Sequence, residues 1–185
     1  MLQVPDKFKD KFFVYGLRTK DIECKNAFDD IIGVHYPDGK TKEWVGTTKP
    51  GIYYLKHLIN AGGCAILKEG IYEDTYQIAL HQNKYEALCQ RKFVSCYRDI
   101  NKDNMYDYDP KTVTTGMYGI NIHHAGIDST KVDNWSAGCQ VFKKLADFNE
   151  FLQICRDTKQ KYFTYILQNI ETFQSGKQFT QGIQV

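Results

Sequence analysis

The chain has 185 residues, enough for one ordinary core and short for two, so it reads as a single domain over 1–185. A net charge of +2, with no Lys/Arg cluster interleaved with aromatics, argues against nucleic acid as a partner. Hydrophobic residues at 42% and charged residues at 25% are ordinary for a soluble domain, and 14% aromatics, with 13 Tyr and 11 Phe, favour β structure.

No segment approaches the roughly 20 apolar residues that cross a bilayer, so no membrane span is expected. The amino terminus, Met1 to Lys11, lacks the apolar centre of a signal peptide. The protein is therefore expected to be made without one and otherwise to stay in the cytoplasm. A substrate outside would be reached after release or delivery, through a lysis pore or a secretion apparatus. Cysteines 24, 64, 89, 96, 139 and 155 show no C-x-x-C spacing, which points to reduced, mostly buried thiols.

In chain order, Lys11-Phe-Phe-Val-Tyr15 reads as a strand. Ile31–Tyr36, a Pro37-Asp38-Gly39 turn and Thr41–Val45 read as a hairpin. Gly51-Ile-Tyr-Tyr-Leu55 is a short apolar run after a Pro-Gly break, grouped with the strands. Thr75–His81 and Tyr85–Cys89 flank a Gln-Asn-Lys turn and predict a second hairpin. Phe93–Tyr97 and Met117–His123 are further strands. Leu145, Phe148, Phe151, Leu152 and Cys155 then recur at helical spacing, predicting an amphipathic helix near 144–157. Lys161–Leu167 reads as a closing strand, and 174–185 as a polar, frayed tail. The expected class is mainly β with one or two helices (α+β).

Two segments carry chemistry: Gly119-Ile-Asn-Ile-His-His-Ala-Gly126 and Trp135-Ser-Ala-Gly-Cys-Gln-Val-Phe142. His123 and His124 end an apolar strand, and Cys139 follows small residues that permit a sharp turn. A buried, inert cysteine is the commoner case, but this setting favours a reactive one. His123 would take the thiol proton to form a thiolate–imidazolium pair. The N–H groups of Gly138 and Cys139 would face a developing oxyanion. Neighbours in a strand point to opposite faces, so only one of His123 and His124 should meet the sulfur; His123 is preferred, with His124 the alternative base.

The I-x-I-H strand end followed by S-x-G-C resembles the L,D-transpeptidase (YkuD-like) catalytic domain, in particular divergent phage-type members. The likeness is strong over 119–142. It extends weakly upstream through Gly46-Thr-Thr-Lys-Pro-Gly51 and Tyr76–His81. It implies a β-sandwich-like catalytic domain acting on peptidoglycan stem peptides. It makes Cys139 the nucleophile, His123 its base, Ser136 and Gly138 the shapers of the turn, and Trp135 with His124 substrate-side residues. Two departures stand out. Ala137 occupies the place of a second His, and Val141 that of the Arg or Asn usual two positions after the Cys. Thioester hydrolysis would make the protein an endolysin- or effector-like peptidase, the favoured outcome; an amine acceptor would make it a cross-linking transpeptidase.

Three other readings compete. A zinc amidase would use Cys139, His123 or His124, and one of His35, His57 or His81, though no compact ligand spacing supports it. Asp99, Asn101, Asp103 and Asp107 follow the first part of a calcium loop, but Asn104 stands at the usual Gly and Pro110 at the bidentate acid. That loop is a candidate structural calcium site; no cofactor is otherwise required. A non-catalytic wall-binding module would use the aromatic residues as a platform.

Overall fold

The computed structural model describes residues 1–170; the tail predicted at 174–185 lies outside them. Turn chemistry sets the first sheet contacts. Strands β1 (Phe13–Thr19), β2 (Asp30–His35) and β3 (Thr41–Thr47) pair as an antiparallel meander. Gly39 closes the β2–β3 hairpin at φ +82°, a conformation open to glycine without steric cost.

Residues 51–55, grouped with the strands, instead begin the one-turn helix α1 (Ile52–Lys56). The chain after Pro50 closes on itself, with Leu55 N–H donating to Gly51 and His57 N–H to Tyr53. Strand β4 (Cys64–Leu67), which the sequence did not announce, leads to β5 (Gly70–His81) and β6 (Tyr85–Gln90). These last two form the second predicted hairpin, with Gln82 and Asn83 both at positive φ in its turn. Strand β7 (Val94–Asp99) and the short β8 (Thr114–Gly116) follow.

The strand expected over 117–123 is reduced to β9 (Ile122–His124). The reason is local. Gly119 sits at φ +71°, and the Gln90 side chain accepts the N–H groups of Tyr118 and Ile120, taking them out of any ladder. Strand β10 (Gln140–Phe142), helix α2 (Leu145–Asp157) and β11 (Phe163–Ile170) complete the described chain.

The fold is mainly β with helical additions, as expected. Eight strands join in a closed barrel, β1-β11-β5-β6-β9-β10-β3-β2, where the resemblance implied a β-sandwich, and β4-β7-β8 form a separate three-stranded sheet. Helix α2 buries Phe148, Phe151, Leu152 and Cys155, four of the five residues its periodicity singled out, while Leu145 at its start is partly buried. Phe151 meets Phe142 of β10 with ring centroids 4.8 Å apart, and Trp44 of β3 at 5.8 Å. Each such side chain contributes roughly 1.5–3 kcal/mol through burial.

A buried cation ties the two sheets together. Arg18 of β1 is fully buried and donates to the carbonyls of Thr48 and of Leu67 in β4. That bond fixes β4 beside the barrel, where its Ala65 carbonyl faces Gly138. Beside Arg18, buried Lys49 pairs with Asp29 at 3.0 Å and Asp30 at 3.2 Å. Asp30 also accepts from the backbone N–H groups of Thr19 and Thr48. No helix of the described residues is long and apolar enough to cross a membrane.

Candidate active site

Strands β9 and β10 run parallel, with Gln140 beside Ile122 and Val141 beside His123. One step earlier, Cys139 lies beside Asn121. In-register residues of a parallel pair share a face, and alternate residues along each strand do too. Continued by one residue, this register puts Cys139 and His123 on the same face of the sheet, two positions apart along adjoining strands. Cys139 is half-buried. Its sulfur accepts from the Asn121 N–H and donates to the Gly119 carbonyl, both at 3.4 Å.

The turn that presents this sulfur is held by its own side chains. Ser136 is fully buried; its hydroxyl donates to the Cys139 carbonyl at 2.8 Å and accepts the Gly138 N–H at 3.1 Å. Buried Gln140 donates to the Gly138 carbonyl and accepts from the Tyr165 hydroxyl. Gly138 has φ +123°, and a Cβ there would stand 2.5 Å from the Ala65 carbonyl oxygen. Only glycine meets both conditions.

The two expected oxyanion donors differ. The Gly138 N–H is spent on Ser136. The Cys139 N–H has no acceptor among the described residues, which leaves it free for an oxyanion forming beside the sulfur.

His123 is held as a neutral base. Its Nδ1 lies 2.9 Å from the His124 carbonyl oxygen, which only accepts, so Nδ1 carries the proton and the lone pair is on Nε2. Burial, reinforced by His81, brings its pKa down to about 3. Burial pushes the Cys139 thiol up to about 11, against the pull of the Asn121 N–H. Both shifts favour a neutral thiol and a neutral imidazole, with no hydrogen bond between them, as the resting pair. Any nucleophilic attack by this thiol would need its proton to move at the same time.

Three residues outside the predicted Cys139–His123 pair build the rest of the site. The Gln90 N–H donates to Asn121 Oδ1 at 2.9 Å, which fixes the Asn121 amide so that its Nδ2 donates to His81 Nδ1 at 3.0 Å. Protonating His81 at Nδ1 would set two donors against each other, so His81 stays neutral, and burial lowers its pKa further. Its ring stacks on that of His123. The sequence offered His81 only as an alternative zinc ligand. The only signal was a His ending one strand of a hairpin and a Gln ending the other.

The remaining predicted residues lie elsewhere. His124 faces α2, its ring 5.1 Å from Phe148, and Nδ1 meets the Ala125 carbonyl. It is turned away from the sulfur, as strand alternation requires. Trp135 is 41% exposed and lies near Gly126, four residues before the cysteine. His35 stacks on Phe13, and His57 sits at the end of α1 against Tyr53, so neither approaches Cys139. Among the described residues, no group of three or more His, Cys, Asp or Glu is placed to hold a metal ion.

The Asp99–Asp107 loop closes on its own groups. Asn101 Oδ1 accepts the Asp103 N–H, Asp103 Oδ1 accepts the Met105 N–H, and the Asn101 amide donates to Asp107. Asp99 is fully buried, and its pKa is raised to about 6, chiefly by burial.

No protein-family model, curated protein or solved structure matches the chain significantly.

Proposed function

We propose that the chain is a cysteine-dependent acyl-transfer enzyme that cleaves peptidoglycan stem peptides. The observation that carries this reading is the β9–β10 register, which sets Cys139 and His123 on one face with the free Cys139 N–H alongside. The resemblance of 119–142 to the L,D-transpeptidase motif supports the choice of a stem peptide as substrate.

The Cys139 sulfur attacks a peptide carbonyl as its proton passes to Nε2 of His123. The Cys139 N–H stabilises the oxyanion. Collapse breaks the C–N bond, and the amine leaves with the proton from His123. Water, deprotonated by His123, then attacks the thioester, releasing the acid and restoring the thiol. An amine from a second stem, attacking in place of water, would yield a cross-link.

Mass spectrometry of purified peptidoglycan treated with the wild type and with Cys139→Ala tests the reading. New free termini made only by the wild type support cleavage, and new cross-links would convert it to a transferase. Identical products from both proteins would remove Cys139 as nucleophile. Binding of the wall by both without any cleavage would leave a wall-binding module.

A further inference from the structure

A cleft of about 270 Å³ opens at the Ser136–Cys139 turn, with Ala137 in its wall. Ala137 and Ile120 wall it from the barrel side; Tyr54 contributes from α1, and Asn60, Tyr118 and Arg98 from the three-stranded sheet and the segments flanking it. Ala137 is two residues from the nucleophile, and its methyl leaves open a space that a larger side chain would fill. Arg98 is the one charged residue that lines the cleft.

The guanidinium is held in place yet keeps donors to spare. Arg98 Nε donates to the Thr114 hydroxyl at 2.8 Å, and Nη1 reaches the Gly63 carbonyl at 3.4 Å. Its plane lies over the Tyr118 ring, 4.1 Å from the centroid, and Gly116 makes room for that ring, since a Cβ there would come within 2.9 Å of it. Nη2 has no acceptor among the described residues, and no carboxylate of those residues pairs with Arg98. A half-buried guanidinium fixed on three sides, with free Nη donors, suits bidentate recognition of a carboxylate.

The position two after the nucleophile does not serve that purpose. Val141 is fully buried, beside His123 and opposite Thr47.

We infer that this cleft is the acyl-donor subsite and that Arg98 is its anchor for a free carboxylate of the peptide. The inference rests on the acyl-transfer reading for its substrate, but binding alone tests it. Cys139→Ala protein is titrated calorimetrically with a stem tetrapeptide bearing free carboxylates, and with the same peptide amidated at each carboxyl. The acid form should bind at least tenfold more tightly, and more weakly as salt rises. Arg98→Gln should abolish the preference, and Arg98→Lys should keep part of it, since a lysine retains the charge without the fork. If Arg98→Gln fails to fold, the Arg98 ¹⁵Nε resonance of the otherwise unaltered protein provides the second reading. It should move with the acid peptide and not with the amide.

Equal affinities, no binding of the acid peptide at millimolar concentration, or a preference that survives Arg98→Gln would overturn the inference. The two proposals fail separately. A carboxylate preference without any acylation of Cys139 keeps the subsite and removes the enzyme, whereas equal acylation by acid and amide keeps the enzyme and removes the subsite.

Discussion

The imidazole of His81 lies stacked on that of His123, with ring centroids 4.4 Å apart and planes 19° from parallel. This chain thus has a second imidazole at its proposed base, delivered by β5 and not by the residue before Gly138, where Ala137 stands. His81 shields one face of His123 from water and helps to keep it neutral. His81→Ala should admit water and raise the His123 pKa from about 3 towards its ordinary value. His81→Phe, which keeps an apolar ring, should leave it low. The His123 Cε1–H resonance followed by NMR against pH separates the two; no difference between the variants would remove the shielding role.

The raised thiol pKa fixes how Cys139 responds to an alkylating reagent. With the thiol at about 11, the thiolate fraction grows about tenfold per pH unit through the neutral range. The rate of Cys139 modification by iodoacetamide should therefore climb without a plateau between about pH 6 and about pH 10. His123→Ala should leave that slope unchanged. An inflection near neutrality, lost in His123→Ala, would show a preformed thiolate–imidazolium pair.

Gly138 couples the turn that presents Cys139 to β4. Gly138→Ala puts a Cβ against the Ala65 carbonyl at a strained φ, and should cost about 1–3 kcal/mol of stability and nearly all activity. Ser136→Ala removes two buried hydrogen bonds and should cost about 1–3 kcal/mol. Denaturant melts and cleavage assays on the two variants test this, and full activity in Gly138→Ala would show that the turn geometry is not needed.

Asp99 predicts a pH-dependent stability. Its folded pKa of about 6 lies above the ordinary aspartate value, so the native state holds the proton more tightly than the unfolded chain. That contribution is fully present below about pH 4 and is lost as pH rises to about 6. Relative to Asp99→Asn, the wild type should lose on the order of 2 kcal/mol between about pH 4 and about pH 7. Parallel stability curves for the two proteins would show that Asp99 ionises freely in the fold.

Much of the architecture was legible because it is local. The turns at 37–39 and 82–84 and the α2 stripe from Leu145 to Cys155 announce themselves through residues close in sequence. Cys139, His123, Ser136 and Gly138 were legible as candidates for the same reason. What was not legible depends on long-range pairing. The short strands β4, β8 and β10 are too brief for a period to show, and 117–121 departs from the ladder because Gln90, far upstream, takes its N–H groups. His81, Asn121 and Arg98 reach the site only through the sheet register and the Arg18 bond to β4. The neutral charge state of the Cys139–His123 pair follows from burial, which no motif encodes.

The proposed reaction passes through a thioester between Cys139 and a peptide acyl group. Intact-protein mass spectrometry after rapid acid quenching of a reaction with a stem peptide tests it most directly. The expected result is a mass gain equal to the acyl fragment, mapped to Cys139, absent in Cys139→Ala and strongly reduced in His123→Ala. Peptide cleavage with no adduct in the wild type, or undiminished cleavage by Cys139→Ala, would contradict it.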